Sequence, residues 1–509
     1  MRAKYIIAHD LGTTGDKASL FDSQGQSLAS SFAAYSTLYP AVNWAEQNPE
    51  DWWKAVCEST QQLIHDSRVP PSEIACIVFS GQMMGAVAVD RQARPLRNAI
   101  IWADTRAVEE AQQIIEGVGF EKGYQITGHR ISSSYSCAKI MWVRDHQTEI
   151  FRQAYKFLVA KDFIVARLTG RFVTDYSDAS GMNLLDLEKL EWSPEILSVA
   201  GLDPALLPDL HASTDVVGEV SSQVAEQVGL AAGTPVVIGG GDGCCAATGA
   251  GVVTEGGAYN YLGSSSWIGI ATRKPILDPT QRTFTFVHLI PGMYSPTGTM
   301  QAAGGSYQWL RDVFCLPEKE AATQLQVSPY ELMNLQVEQS PPGANNLLYL
   351  PYLLGERSPH WNPRARGAYF GLTVQHTRAD IIRATMEGIT FNLRVILEAF
   401  QEQGAQIKEM RVIGGGARGR IWRQVLADIF GIPVVRPTLL EDATSMGAAI
   451  AGGVGVGIFP DFKIAARLTP IIDTARPDRK EKEKYDRLYK IFTDCYRALL
   501  PLYEDLAAI

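Results

Sequence analysis

Val237 to Gly251, VIGGGDGCCAATGAG, constrains this chain more than any other stretch. A β-branched run, Pro235 to Ile238, meets three glycines, then Asp242, then small residues with the composition of a helix. An acid is thereby set where a buried strand ends, beside backbone that carries no Cβ and can turn sharply or lie against a ligand. Two readings follow. Asp242 faces a cleft and acts as a base, or it caps the helix that follows.

A length of 509 residues exceeds what one hydrophobic core usually serves, so two domains are expected. A net charge of −9 opposes a nucleic-acid or anionic-membrane surface. The seven cysteines include no CxxC pair, which suggests neither a zinc knuckle nor a disulfide framework and fits reduced cytosolic thiols. The apolar run before Asp10 is too short and wrongly flanked for a signal peptide, and Met446 to Phe459 falls short of the roughly 20 residues of a membrane span. A soluble, cytoplasmic protein is expected.

From the N-terminus, residues 4–9 read as a strand, Asp10-Leu11-Gly12-Thr13-Thr14-Gly15 as a turn, and Lys17 to Asp22 as the returning strand. Such a tip offers N–H groups and hydroxyls to a phosphate, with Asp10 placed to hold magnesium directly or through water; the plain alternative is a solvated hairpin turn. No GxxxxGK[ST] loop occurs. Asn48 and Pro49 read as the start of a helix to about residue 66. Residues 74–79 form a strand that delivers Ser80-Gly81-Gln82-Met83-Met84-Gly85 at its end, with residues 86–90 as its neighbour. Trp102, Asp104 and Arg106 then place an aromatic face, an acid and a base at a helix start, a set that either grips a polyol or forms a surface charge pair. Residues 171–233 read as irregular.

Tyr261-Leu262-Gly263-Ser264-Ser265 repeats the pattern of the first hairpin without the acid. Two such hairpins facing each other could clamp a triphosphate. Gln301 to Phe314 reads as a helix in which Gly304 and Gly305 either admit a nucleotide or let two helices approach. Gly414, Gly416 and Gly419 satisfy GxGxxG between a strand and a helix, but Arg436 stands where a dinucleotide site usually has its acid, although an NADP site could use an arginine; a glycine turn there equally suits the adenine of a mononucleotide.

Taken in order, these motifs resemble the FGGY family of carbohydrate kinases along nearly the whole chain. One signature is matched by Ser134 to His146, and a second by Gly367-Ala368-Tyr369-Phe370-Gly371-Leu372 with Asp380-Ile381 and Ala384 to Glu387. The resemblance implies an α/β protein of two ribonuclease H-like domains, of the actin, hexokinase and Hsp70 ATPase type, with the active site in the cleft between them. The division falls at residues 1–252 and 253–509. By motif, Asp10 resembles the magnesium position. Gly12, Thr13, Thr14 and Lys17 resemble the first phosphate loop, and Gly263, Ser264 and Ser265 the second. Gly304, Gly305 and Gln308, with Gly415, Gly416 and Ala417, resemble nucleotide contacts, and Asp242 matches the catalytic base.

The resemblance implies ATP and Mg2+ and, often in this family, a homodimer. Gln82-Met83-Met84-Gly85 is most similar to xylulose kinases, with Met84 in place of their histidine and Gly243 in place of the asparagine that commonly follows the acid. Gln82, Met83, Met84, Trp102, Asp104, Arg106 and Gly243 form the expected sugar side. The implied reaction phosphorylates the terminal hydroxyl of a ketopentose, D-xylulose before other pentuloses or polyols such as ribulose, lyxulose or erythritol. An NADP-linked oxidoreductase and a nonenzymatic nucleotide-dependent sensor are the readings from other classes.

Overall fold

A computed structural model describes residues 4–508. The N-terminal half is built on strands β1 (Tyr5–Leu11), β2 (Gly15–Phe21) and β3 (Ser27–Ala34), helix α1 (Pro49–Ser67), β4 (Ile74–Gly81), helix α2 (Ser136–His146), β5 (Val216–Glu219), β6 (Pro235–Gly241) and helix α3 (Asp242–Gly249). The sheet runs β5-β6-β4-β1-β2-β3; β1, β4 and β6 are mutually parallel and the others antiparallel. Buried on both faces, β1 and β4 read as near-continuous apolar runs, as central parallel strands do. The Asn48 side chain caps α1 by accepting from the Glu50 N–H, and Trp52 and Trp53 are buried in the core beneath it.

The C-terminal half uses β7 (Ala258–Leu262), β8 (Ser266–Ile270), β9 (Phe284–Val287), β10 (Tyr294–Met300), α4 (Gly304–Val313), α5 (Arg378–Glu402), β11 (Met410–Ile413), α6 (Arg420–Phe430), β12 (Val434–Pro437), α7 (Ala443–Gly455), β13 (Ile471–Ala475) and α8 (Arg479–Ala507). Its sheet runs β9-β10-β8-β7-β11-β12-β13. The segment β10-β8-β7-β11-β12 repeats β3-β2-β1-β4-β6 in order and direction, so each half is the ribonuclease H-like unit that the motifs imply.

The halves interlock through the helices that follow their last parallel strands. A Cβ on Gly249 of α3 would fall 1.7 Å from the Ala443 carbonyl, and one on Gly447 of α7 would fall 1.8 Å from the Cys245 carbonyl. Glycine at both crossings is what lets the two backbones touch. Although α7 lies between β12 and β13 of the C-terminal sheet in sequence, its Met446 and Ala448 to Ala451 pack with Ile6, Val78 and Val237 of the N-terminal one.

Four local expectations change. Residues 171–233, read as irregular, hold the strand Val173–Asp175, the helices Tyr176–Ser180 and Pro194–Ala200, and β5 of the main sheet. The last parallel strand does not stop at Ile238 but runs through the glycines to Gly241, with a register shift between Val237 and Gly240 and φ +71° at Gly239. That bulge needs glycine, since a Cβ there would lie 1.8 Å from the Phe79 carbonyl. Residues Val87–Val89 pair with Lys156–Leu158 and not with β4, because Met84 at φ +64° turns the chain off the sheet. The helix expected from Gln301 begins only at Gly304, after residues that bend around the second hairpin tip.

Candidate active site

Both hairpin tips sit at the carboxyl ends of parallel strands, where open α/β sheets leave a crevice. Two cavities meet there. The first, about 540 Å3, is lined by Thr13, Met83, Met84 and Trp102 from one half, Ser264 and Gln301 from the other, and Asp242 between them. The second, about 570 Å3, lies within the C-terminal half and is lined by Gly304, Gln308, Gly415, Gly416 and Tyr307. Ser264 belongs to both walls, so the second hairpin tip is the partition between them.

Asp242 opens α3 directly after the bulge, and its Oδ1 accepts the Gly243 N–H at 2.7 Å. Half-buried in the crevice, its carboxyl is pushed up to about 6 by desolvation, against the lowering effect of that one hydrogen bond. Asp10, at the end of β1 and in register with Ser80, is pushed up to about 7, first by desolvation and then by the Asp242 charge. The Asp242 charge thus helps to raise Asp10, and the two acids together leave a deficit of positive charge at the mouth of the first hairpin. Among the described residues no group of three or more His, Cys, Asp or Glu side chains forms a metal cage. An Asp10 carboxylate at the base of the Gly12 to Thr14 tip nevertheless suits Mg2+, which takes one or two protein carboxylates and fills its remaining positions with water and phosphate oxygens.

The first tip is braced from several sides. The Gly12 N–H donates to the carbonyls of Asp10 and Gly15, Gln82 Nε2 donates to the Gly12 carbonyl at 3.2 Å, and Trp102 Nε1 donates to Thr13 Oγ1 at 2.9 Å. Thr14 is exposed at the apex. The second tip is held by the start of α4: the N–H groups of Gly304 and Gly305 donate to the carbonyls of Gly263 and Ser264 at 2.9 and 2.8 Å. A Cβ on Gly304 would lie 2.3 Å from the Gly263 carbonyl, so glycine permits that approach. Ser265 lines the first cavity with Ser264, and Gly243 lines it with open space where a Cβ would be.

Other candidates lie behind these walls. Gln82 is buried and spans Gly12 and Gln47 without lining either cavity. Asp104 is fully buried, accepting from the Ala45 N–H and from Arg106, whose guanidinium also pairs with Glu46 and lies 3.6 Å from the Trp44 ring centroid. This cluster holds the Trp102 loop from beneath and does not line the cavity. Ala417 is buried, with its carbonyl accepting from Arg423, while Gly415 and Gly416 line the second cavity. Lys17 reaches across to the C-terminal half and pairs with Asp442.

The structure also brings in residues that no motif marked. Phe284, Phe286, Gln301 and Arg357 complete the first cavity from β9, from the segment just after β10 and from a long loop. Arg357 makes no ion pair with a carboxylate among the described residues and lies instead beside the Tyr135 hydroxyl. In the second cavity Tyr307, Tyr330 and Trp422 form an aromatic wall, with Tyr307 stacked on Tyr330 at 5.9 Å and Trp422 tilted against it at 5.0 Å. The buried Tyr307 hydroxyl and Trp422 indole N–H have no protein partner among the described residues. A flat base with polar edges fits such a wall. None of these positions carries a local signal, because their roles come from strands and loops meeting across the crevice.

Residues 5–249 match the N-terminal domain of the FGGY family of carbohydrate kinases, and residues 258–456 match its C-terminal domain. The chain is 34% identical over 495 residues to a xylulose kinase of Bacillus subtilis, covering 97% of both chains. It is 32% identical over 504 residues to a gluconokinase of Bacillus licheniformis, covering 99% of this chain and 98% of the relative. Among solved structures, a ligand-bound xylulose kinase from Lactobacillus acidophilus superposes with a TM-score of 0.92 at 27% identity, covering 99% of this chain and all of the other. No helix among the described residues is long and apolar enough to cross a membrane.

Proposed function

The chain belongs to the FGGY family of carbohydrate kinases, and from that premise we propose that it transfers the γ-phosphoryl group of ATP to the terminal primary hydroxyl of a ketopentose, D-xylulose giving D-xylulose 5-phosphate. The observation that carries this reading is Asp242: a half-buried carboxylate, raised to about 6, on the wall of a sugar-sized cavity that only a hydroxyl-bearing tip separates from a second cavity with an aromatic wall. With its pKa just below neutrality, Asp242 is largely ionised at pH 7 and retains more basicity than an exposed carboxylate. It accepts the hydroxyl proton as the sugar oxygen bonds to the γ-phosphorus and the bond from that phosphorus to the β,γ-bridging oxygen breaks, leaving ADP.

The phosphoryl group carries little covalent demand on the protein, so alignment and charge neutralisation do most of the work. Thr13 and Thr14 on one side and Ser264 and Ser265 on the other supply hydroxyl and backbone donors to the phosphates. Mg2+, when bound, offsets the charge of the β- and γ-phosphate oxygens, and Asp10 is the residue to hold it. Gly415, Gly416, Gln308 and the aromatic wall receive the nucleoside. The Gly414 to Gly419 run thus serves a mononucleotide cavity in a kinase fold, and the oxidoreductase reading of it has no further support. Cytoplasmic sugar metabolism is the setting such a reaction implies.

A second reading has its own observation. Arg357 is a cavity cation without a carboxylate partner among the described residues, and Gly243 leaves open space beside the base. Both suit a longer substrate ending in a carboxylate, and relatives named gluconokinase match at nearly the same identity as those named xylulose kinase. A coupled ADP-release assay over D-xylulose, D-ribulose, erythritol and D-gluconate decides between them. Turnover highest with D-xylulose supports the first reading. Turnover with D-gluconate alone, lost in Arg357→Met, replaces it with the second.

A further inference from the structure

Helix α2 carries the first long signature, yet the reaction as proposed uses none of its side chains. We propose that Lys139 is a positioning residue for the sugar: with Ser136 it clamps the Met83–Gly85 loop and the Ile101–Trp102 segment in the shape that lines the first cavity. The inference rests on the reading that this cavity takes the sugar.

Lys139 is fully buried, and its Nζ donates to the carbonyls of Met84 at 2.9 Å, Ile101 at 2.8 Å and Ser134 at 2.6 Å. An ammonium has three donors, and here each goes to a different segment of chain. Two of those segments present cavity side chains, Met84 and Trp102. The Ser136 hydroxyl adds a fourth tie, donating to the Gly85 carbonyl at 2.7 Å. Two consecutive carbonyls, those of Met84 and Gly85, are therefore gripped from one helix.

The grip has something to hold. Met84 sits at φ +64°, in the left-handed region that a side chain occupies at a cost, and it persists where surrounding bonds over-determine it. The Trp102 ring at the far end of the clamped segment lines the first cavity, so the clamp bears on the shape of that wall.

A packing role alone does not account for the amine. Burying an ammonium is costly, and an apolar side chain of similar volume would fill the space more cheaply. The nearest carboxylate, Asp104, is already committed to Arg106 and the Ala45 N–H. Burial accordingly draws the Lys139 amine down to about 7, with Asp104 opposing and Arg357 and Arg106 adding to the shift.

The test compares Lys139→Met and Ser136→Ala with the wild type in two ways: KM for D-xylulose and for ATP, and crystal structures without substrate. The clamp predicts a D-xylulose KM raised about tenfold or more in Lys139→Met and about threefold in Ser136→Ala, as loss of buried hydrogen bonds implies, with the ATP KM within about twofold. Met84 should leave the left-handed region in the Lys139→Met crystal. A merely structural role would lower thermal stability and move both KM values together. An unchanged D-xylulose KM in a folded variant, both KM values rising in step, or a Met84 that keeps its positive φ overturns the proposal. Should Lys139→Met fail to fold, Ser136→Ala, which loses one donor, decides by its KM values and its Met84 geometry. If the wild type does not turn over D-xylulose, the substrate reading fails, and the Met84 geometry still decides the clamp.

Discussion

The two halves of the molecule share a sheet and differ in what stands at the ends of its strands. In the N-terminal half Asp10 is the last residue but one of β1, and β6 delivers Asp242 through a bulge. At the matching place in the C-terminal half β7 carries Tyr261, stacked on Trp267 at 4.1 Å, and β12 pairs with β11 without a register shift. The acid nearest the equivalent of Asp242 is Asp442, which is half-buried and pairs with Lys17. One scaffold thus holds two carboxylates at raised pKa, and its copy holds hydroxyls, glycines and aromatic rings. On the proposed reading, proton and metal chemistry would belong to the first half and nucleotide contact to the second, and the first cavity is lined by residues of both.

The sharpest way to break this comparison is to remove the acid that only one half possesses. Asp242→Asn should reduce kcat by about a thousandfold or more while ADP affinity, measured by calorimetry, stays within a few-fold. Normal turnover in that variant would falsify the division of labour. Asp10→Asn should cost about a hundredfold in kcat and weaken the dependence of the rate on Mg2+ concentration.

The bulge offers a structural contrast. Gly239→Ala forces a Cβ into the Phe79 carbonyl and should destabilise the fold by about 3 kcal/mol or more in a denaturant melt. Gly415→Ala in the C-terminal half meets no atom within 4 Å and should leave stability almost unchanged.

Titration sharpens the comparison further. The rate at limiting sugar should rise with pH through about 6, as Asp242 ionises, and level off above it. Stability should move the other way. Asp10 and Asp242 bind protons more tightly in the folded protein than in the unfolded chain, so the folded state holds more protons across the window between their unfolded values, near 4, and their folded values of about 6 and 7. Their contribution is most favourable below that window and is lost as pH rises through it. Added Mg2+ should recover thermal stability above pH 7 in the wild type and not in Asp10→Asn.

The smallest effect is expected at the ion pair between the halves. Lys17 and Asp442 are 31% and 40% exposed, so Asp442→Asn should change stability by less than about 1 kcal/mol. Lys17→Met should instead raise the ATP KM if Lys17 also serves the phosphates.

The order of elements, the two hairpins and the acid after the glycines were legible in the chain because each rests on local chemistry. A β-branched run forms a strand, hydroxyls and glycine form a tip, and Asn48 before Pro49 starts a helix. The bulge at Gly239 escaped that reading, since a strand's pairing partner is not written in its own residues. Trp102 lines the cavity whereas Asp104 and Arg106 of the same run are buried beneath it, a division that sequence proximity conceals. Arg357, Phe284 and Phe286 reach the cavity from elements more than a hundred residues past Trp102 in the chain.

By itself, then, the sequence determined which half carries acids and which carries hydroxyls and glycines, because residue type and strand ends are properties of neighbouring positions. Only the tertiary structure decided which of those groups face one another. The crossing of α3 and α7 at Gly249 and Gly447 seats the C-terminal helix on the N-terminal sheet, and where that contact falls depends on packing between surfaces almost two hundred residues apart. The first cavity, walled by Met84 and Trp102 from one half and by Ser264 and Arg357 from the other, exists only because the two halves meet.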